Sequence, residues 1–235
     1  MKKIYGLVLL FLLCQCSDVT PSIPKDTSPI KNGGLIIPDG FQATVFVDSL
    51  GPSRHLAVNN NGDVYVKLST DKGTLGNVAL RDINQDGIAD SIQRFGNYPN
   101  DGRFATEMRI HKGYLYFSSE LVVYRQKLIP GQLIPEGDPE VIMIDEFPIR
   151  WHNAKSLAFD SEGGMYVTFS APTNVCEDQS IDYSDPNSII KGEYPCSQLD
   201  ILGGIWKFDE AKPNQKQADG MRFATGLRSI VAISW

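Results

Sequence analysis

The sequence predicts an all-β fold of β-propeller type, and three observations predict it. A hairpin unit recurs along the chain. Strand-forming runs alternate with Gly, Asn, Asp and Pro turns from about residue 35 onward, and no amphipathic stretch after the leader sustains more than a couple of helical turns.

The unit is clearest at 151–174, WHNAKSLAFDSEGGMYVTFSAPTN. Leu157-Ala158-Phe159 is a short apolar run, and Met165-Tyr166-Val167-Thr168-Phe169 is a second run rich in β-formers. Between them, Asp160 and Ser161 can bond the local backbone, and Gly163 and Gly164 can take the positive φ of a tight reversal. The same pattern appears upstream as His55-Leu56-Ala57-Val58, a turn at Asn59 to Asp63, then Val64-Tyr65-Val66. It appears again as Glu107-Met108-Arg109-Ile110, a Lys112-Gly113 turn, then Tyr114-Leu115-Tyr116-Phe117. From Leu56 to Met108 is 52 residues and from Met108 to Leu157 is 49, at the long end of the roughly 40 to 50 residue period of propeller blades.

Further strands are expected at Ala43–Val47, Leu121–Arg125, Val141–Ile144 and Gly204–Asp209. From Leu35 the chain holds about four units at this step, whereas propellers close with roughly 4 to 8 blades. It is therefore read as a partial propeller over 35–235, its last run, Phe223–Trp235, opening another unit.

Composition narrows the function. With 22 basic and 28 acidic residues, a net charge of −6, the chain has no electrostatic footprint for nucleic acid. Met1-Lys2-Lys3 followed by Ile4 to Leu13 has the charged and apolar regions of an export signal, too short to span a membrane. Leu13-Cys14-Gln15-Cys16 resembles a bacterial lipobox with Cys16 as the lipidated residue, Cys14 being the weaker candidate and Gln15 standing where a small residue is usual. The expected organisation is a signal peptide over 1–15, a Pro- and Ser/Thr-rich tether over 16–34, and an exported, lipid-anchored domain in the periplasm or at the cell surface.

Export makes the compartment oxidising. Cys176 and Cys196, bounding an acidic, polar excursion, are expected to form a disulfide, since no second Cys or His lies nearby at metal-ligand spacing. Asp82, Asn84, Asp86 and Asp90, with Gly87 for the sharp turn and the Ile88 carbonyl, have calcium-loop spacing; position 12 is Gln93 rather than the usual Glu. A structural Ca2+ is expected there. The alternative is an Asp/Asn/Gly-rich turn with no ion. His55 and His111 show no partner pattern and read as surface residues.

Four stretches, ALRDINQDGIAD at 79–90, HNAKSLAFDSEGGMYVTFSAPTNVC at 152–176, GGIWKFDEAKPNQ at 203–215 and ATGLRSIVAISW at 224–235, resemble the pyrroloquinoline quinone (PQQ) dependent sugar dehydrogenases of the soluble glucose, sorbosone and pyranose dehydrogenase type. That resemblance implies a six-bladed propeller with PQQ at the mouth of its channel, accepting two electrons from a sugar hydroxyl carbon and passing them to a respiratory quinone or cytochrome. It implies His152 as the general base, at H-x-x-x-x-L spacing to Leu157, and Arg228 with Ser229 as PQQ-binding residues. The residue types suit the chemistry. Imidazole titrates in the range needed to accept a hydroxyl proton, and a guanidinium fork suits a cofactor with three carboxylates.

The chain departs from the family pattern in Ser229, where Asn is usual, in Ile230 and Ala232, and in Thr106-Glu107, where a His-Gly pair is common. The family's other basic PQQ ligands and its active-site calcium loop would lie beyond Trp235. Trp151 is read as packing at the channel mouth. The competing reading is a non-enzymatic propeller whose loops bind carbohydrate or protein.

Overall fold

The computed structural model describes residues 31–69, 76–98, 107–147, 152 and 154–235. The expected signal peptide, the lipidated Cys16, most of the tether and Trp151 lie outside these residues. The chain divides into two compact units, Met1–Ala43 and Thr44–Trp235. In the first, the described residues open with a turn over Lys31–Gly34, where the Leu35 amide donates to the Asn32 carbonyl at 3.0 Å.

The second unit is all-β, with only short 3-10 turns as helix among its described residues. Three antiparallel sheets follow one another along the chain. The first is β1 (Ser53–Val58), β2 (Val64–Leu68), β3 (Asn77–Arg81) and β4 (Ser91–Phe95), in that spatial order. The second is β5 (Glu107–His111), β6 (Tyr114–Ser118), β7 (Val122–Lys127) and β8 (Glu136–Ile144). The third is β9 (Leu157–Phe159), β10 (Gly164–Phe169), β11 (Gly204–Asp209) and β13 (Met221–Thr225). A two-residue strand, β12 (Gln215–Lys216), leaves the third sheet's last connection and pairs in parallel with β8, tying the third sheet to the second.

The recurring hairpins are the first two strands of each sheet. Leu56 pairs with Val66, Met108 with Phe117, and Leu157 with Val167. The first strands lie side by side, β1 against β5 and β5 against β9, the arrangement of propeller blades around an axis.

Their turns follow from turn chemistry. Lys112 and Gly113 both have positive φ, 45° and 79°, as a two-residue reversal matched to strand twist requires. At the third hairpin only Gly163 takes positive φ, 94°. Gly164 is required for a different reason: a Cβ there would sit 2.4 Å from Asp160 Oδ2 and 2.3 Å from Lys207 Cε.

Sheet stacking explains why the middle strands read as continuous apolar runs, since a strand covered on both faces loses its alternation. Tyr65, Ala79 and Phe95 of the first sheet meet Met108, Leu115, Phe117 and Tyr124 of the second. Tyr116, Val123, Ile142 and Met143 of the second meet Leu157, Met165, Val167, Phe169 and Trp206 of the third. Each fully buried Leu, Val, Met or Phe contributes roughly 1.5–3 kcal/mol.

Three expectations are corrected. The described residues form three sheets, two of four strands and one of five, where about four blades were expected, because Ser170 to Gly203 makes no strand and so lengthens the third unit without adding a sheet. The run 223–235 does not open another unit: β13 is the fourth strand of the third sheet, and 226–235 forms no strand. The alternating segment 43–47 is not a strand either. Phe46 and Val47 instead cover Val66, Leu68, Val78 and Leu80 on the far face of the first sheet.

Candidate functional site

Antiparallel strands give each sheet two ends. One carries the turns after β1, β5 and β9. The other receives the segment before β9, the excursion after β10 and the segment leaving β13, so residues distant in sequence meet there.

The segment before β9 is fastened to β10 by side chains of the hairpin itself. The Ser156 amide donates to Thr168 Oγ1 at 2.8 Å, and Ser170 Oγ donates to the Ala154 carbonyl at 3.2 Å. Lys155, fully buried, reaches Asp145 Oδ2 at 2.7 Å, and Ser118 Oγ donates to the Lys155 carbonyl at 2.9 Å. This anchoring holds the half-buried His152 three residues upstream.

The excursion opens with Asn174 on a turn closed by Glu177. The buried Glu177 carboxylate accepts from the Asn174 amide at 3.0 Å and the Val175 amide at 2.6 Å. Burial pushes this carboxyl upward, but the Val175 and Asn174 amides, its own amide and Thr173 outweigh it and hold the group below its usual value. Gln198 Nε2 donates to the Glu177 carbonyl at 2.7 Å, and Thr173 Oγ1 to Gln198 Oε1 at 2.6 Å. The disulfide joins Cys176 to Cys196 with 5.8 Å between Cα atoms, as the sequence predicts. The third segment is set by the Leu227 amide on the Gly203 carbonyl, 2.9 Å, and the Ala171 amide on the Arg228 carbonyl, 2.7 Å.

These three segments converge on one atom. Asn174 Oδ1 lies 3.1 Å from His152 Nε2 and 2.6 Å from Arg228 Nη1. The two residues expected to share the functional rim are therefore bridged by one carboxamide. Asn174 itself was not singled out from sequence, since its side chain meets His152 across 22 residues and Arg228 across 54. Ser229, also expected at the cofactor, is half-buried and joins none of these bonds. Beside the cluster lies a groove of about 270 Å³ lined by Asn174, Arg228, Thr173, Gln198 and both half-cystines.

The expected calcium loop lies at the opposite end of the sheets, after β3 at the end that carries the β1–β2 turn. Its side chains are turned onto its own backbone. Asp82 accepts from the Gln85 and Gly87 amides at 2.7 and 2.8 Å, Asn84 Oδ1 from the Asp86 amide at 3.0 Å, Asp86 from the Ile88 amide at 2.9 Å, and Asp90 from the Ile83 amide at 2.7 Å. Among the described residues no three His, Cys, Asp or Glu side chains are grouped to hold a metal. The loop as folded is a run of Asx turns.

His55 and His111 are not the surface residues expected. His111 stacks on Phe159 at 4.3 Å between centroids, and its Nε2 meets Glu210 Oε2 at 2.7 Å. His55 Nδ1 faces Glu107 at 3.5 Å, and burial holds its imidazole below the usual value, with Arg54 and Arg109 adding to the shift and Glu107 opposing it. Each sits between two sheets, where a charged partner from the next sheet meets it.

No protein-family model and no curated protein matches this chain. Solved structures match its fold. The holo PQQ domain of pyranose dehydrogenase from Coprinopsis cinerea aligns at TM-score 0.50 and 11% identity over 75% of this chain and 39% of that one. The calcium structure of a Trichoderma reesei family AA12 carbohydrate-active enzyme aligns at 0.54 and 13% over 80% and 44%, and the iodide structure of a T. reesei AA12 enzyme at 0.55 and 13% over 80% and 43%. The chain thus spans less than half the length of these neighbours, with which it shares an all-β, propeller-like fold.

Proposed function

We propose that this chain belongs to an exported PQQ-dependent oxidoreductase that oxidises a sugar hydroxyl, lipid-anchored through Cys16 and delivering electrons to a respiratory quinone or cytochrome. The observation that carries the reading is the meeting of His152 and Arg228 at Asn174 on one end of the sheets. The pyranose dehydrogenase PQQ domain among the fold neighbours supports it.

The residues present fit one part of the cofactor. Arg228 is the one cation lining the groove among the described residues. Its guanidinium has five N–H donors, of which one serves Asn174, leaving a fork for a carboxylate. PQQ, when bound, supplies the two-electron acceptor. In the proposed reaction Arg228 would hold a carboxylate of the cofactor, which would supply the acceptor for the substrate's hydride, and the His152 imidazole would take the hydroxyl proton. Arg228 binds and orients, and His152 takes the proton.

The test is to titrate the purified chain with PQQ and follow dye reduction over a panel of aldoses. Arg228→Met should weaken PQQ binding, and His152→Ala should slow turnover by about 10²- to 10⁴-fold, the usual contribution of a general base. Full activity in His152→Ala, or no PQQ binding by the wild-type chain, overturns the reading.

A further inference from the structure

The atom that Arg228 and His152 share decides which ring nitrogen of His152 can accept a proton. A guanidinium only donates, so an atom 2.6 Å from Arg228 Nη1 must be an acceptor. Placing the Asn174 amino group there would set donor against donor, and the carboxamide orientation is thereby fixed with Oδ1 toward Arg228. The same oxygen lies 3.1 Å from His152 Nε2, an N–H···O separation. An oxygen acceptor requires Nε2 to carry the hydrogen, so in the neutral imidazole the lone pair is on Nδ1.

The backbone reinforces the assignment. Asn174 cannot drift from this position while the Glu177 carboxylate holds the Asn174 and Val175 amides at 3.0 and 2.6 Å. Its place is fixed again by Gln198 on the Glu177 carbonyl and by the disulfide that begins two residues on, at Cys176.

We propose that Asn174, itself oriented by Arg228, is the positioning residue that sets the tautomer of His152 and makes Nδ1 the proton-accepting atom of the site. Use of Nδ1 in catalysis rests on the oxidoreductase reading, while the tautomer does not. Arg228 thereby has two tasks on one guanidinium, orienting Asn174 with one N–H and leaving the others for an anion. Under this assignment a substrate hydroxyl approaches the Nδ1 edge of the ring, away from Asn174.

The experiment is long-range 15N–1H correlation spectroscopy of the histidine side chains in the full chain, at a pH where the imidazoles are neutral. The chain has three histidines, and His152→Gln identifies the signals of position 152 by their loss. The expected wild-type result is a protonated Nε2 and an unprotonated, downfield Nδ1. Asn174→Asp keeps an acceptor oxygen and should keep that pattern. Asn174→Leu removes it, and Arg228→Met frees the carboxamide to flip, so both should move the two nitrogens toward averaged shifts. A wild-type spectrum with Nδ1 protonated overturns the proposal without any variant, as does an unchanged pattern in a folded Asn174→Leu. The two readings fail separately: the expected spectrum together with full turnover in His152→Ala sinks the oxidoreductase reading alone, and the opposite tautomer in a protein whose turnover depends on His152 sinks this one alone.

Discussion

Lys155 and Asp145 form an ion pair, Nζ to Oδ2 at 2.7 Å, with both side chains sealed from water. The ammonium also lies 4.4 Å from the centroid of the Phe169 ring, a favourable place for a cation. The pair joins the segment leaving β8 to the segment entering β9, and His152 is three residues from it. Removing one partner takes this contact from a buried charge, a change that costs about 3–5 kcal/mol. Asp145→Ala should lower the free energy of urea unfolding by that amount, and Lys155→Met, which keeps the apolar stem, by less. A loss below about 1 kcal/mol in Asp145→Ala would show that the ion pair does not anchor this segment.

Stability should fall with acid through identifiable carboxylates. Burial pushes Asp63 upward, but the Arg81 guanidinium, at 2.6 and 2.7 Å, and Asn61 at 2.8 Å hold it below the usual range. Asp160 is held lower still, first by Lys207 and then by the Gly164 amide. For groups whose folded pKa is depressed, the stabilisation is present above the unfolded value, near about 4. It is lost as the pH drops from there through the folded value. Asp63→Asn and Asp160→Asn should therefore be less stable than wild type at pH 7, with the gap closing below about pH 4. A gap that stays constant from pH 7 to 3 would mean that neither carboxylate has a depressed pKa in the folded chain.

The hairpin repeat was legible because its signals are local. Alternation with period two, Lys112-Gly113 and Asp160 to Gly164 act within one or two turns of chain, and Leu56, Met108 and Leu157 all fall on first strands as their spacing requires. The run 43–47 alternates equally well, yet its Phe46 and Val47 become cover for the first sheet, because alternation reports a half-buried surface and not a strand partner. His152 and Arg228 were named through a family resemblance, but their junction was not. Asn174 becomes a bridge only when the third sheet brings three segments to one end, and nothing local in Thr173-Asn174-Val175 encodes that meeting. The buried Lys67 and Lys155 were equally hidden, since a lysine in or just before a strand reads as solvent-facing until the neighbouring sheet is in place.

The loop at 82–90 gives a prediction about its own closure. Because Asp82, Asn84, Asp86 and Asp90 already accept from loop amides, the loop needs no ion to satisfy its backbone. Melting curves in millimolar EDTA and in millimolar Ca2+ should superimpose. A saturable rise in Tm with Ca2+, absent in Asp86→Ala, would show instead that the loop holds Ca2+, since an ion that binds only the folded state must raise its stability.

The Cys176–Cys196 bridge should matter more to the site than to the sheets. Its sequence separation is 20, for which restricting the unfolded chain is worth about 3 kcal/mol. The closed segment also carries Glu177, which fixes the Asn174 turn, while Gln198, just beyond it, binds Glu177 in turn. None of the thirteen strands in the described residues lies between the two cysteines, so opening the loop leaves every sheet ladder in place. Cys176→Ser/Cys196→Ser should therefore keep its far-ultraviolet circular dichroism and unfold at lower urea. Its His152 nitrogen shifts should move toward those of Asn174→Leu. A double variant that retains the wild-type His152 signals would show that Asn174 is held by Glu177 and Gln198 without help from the disulfide.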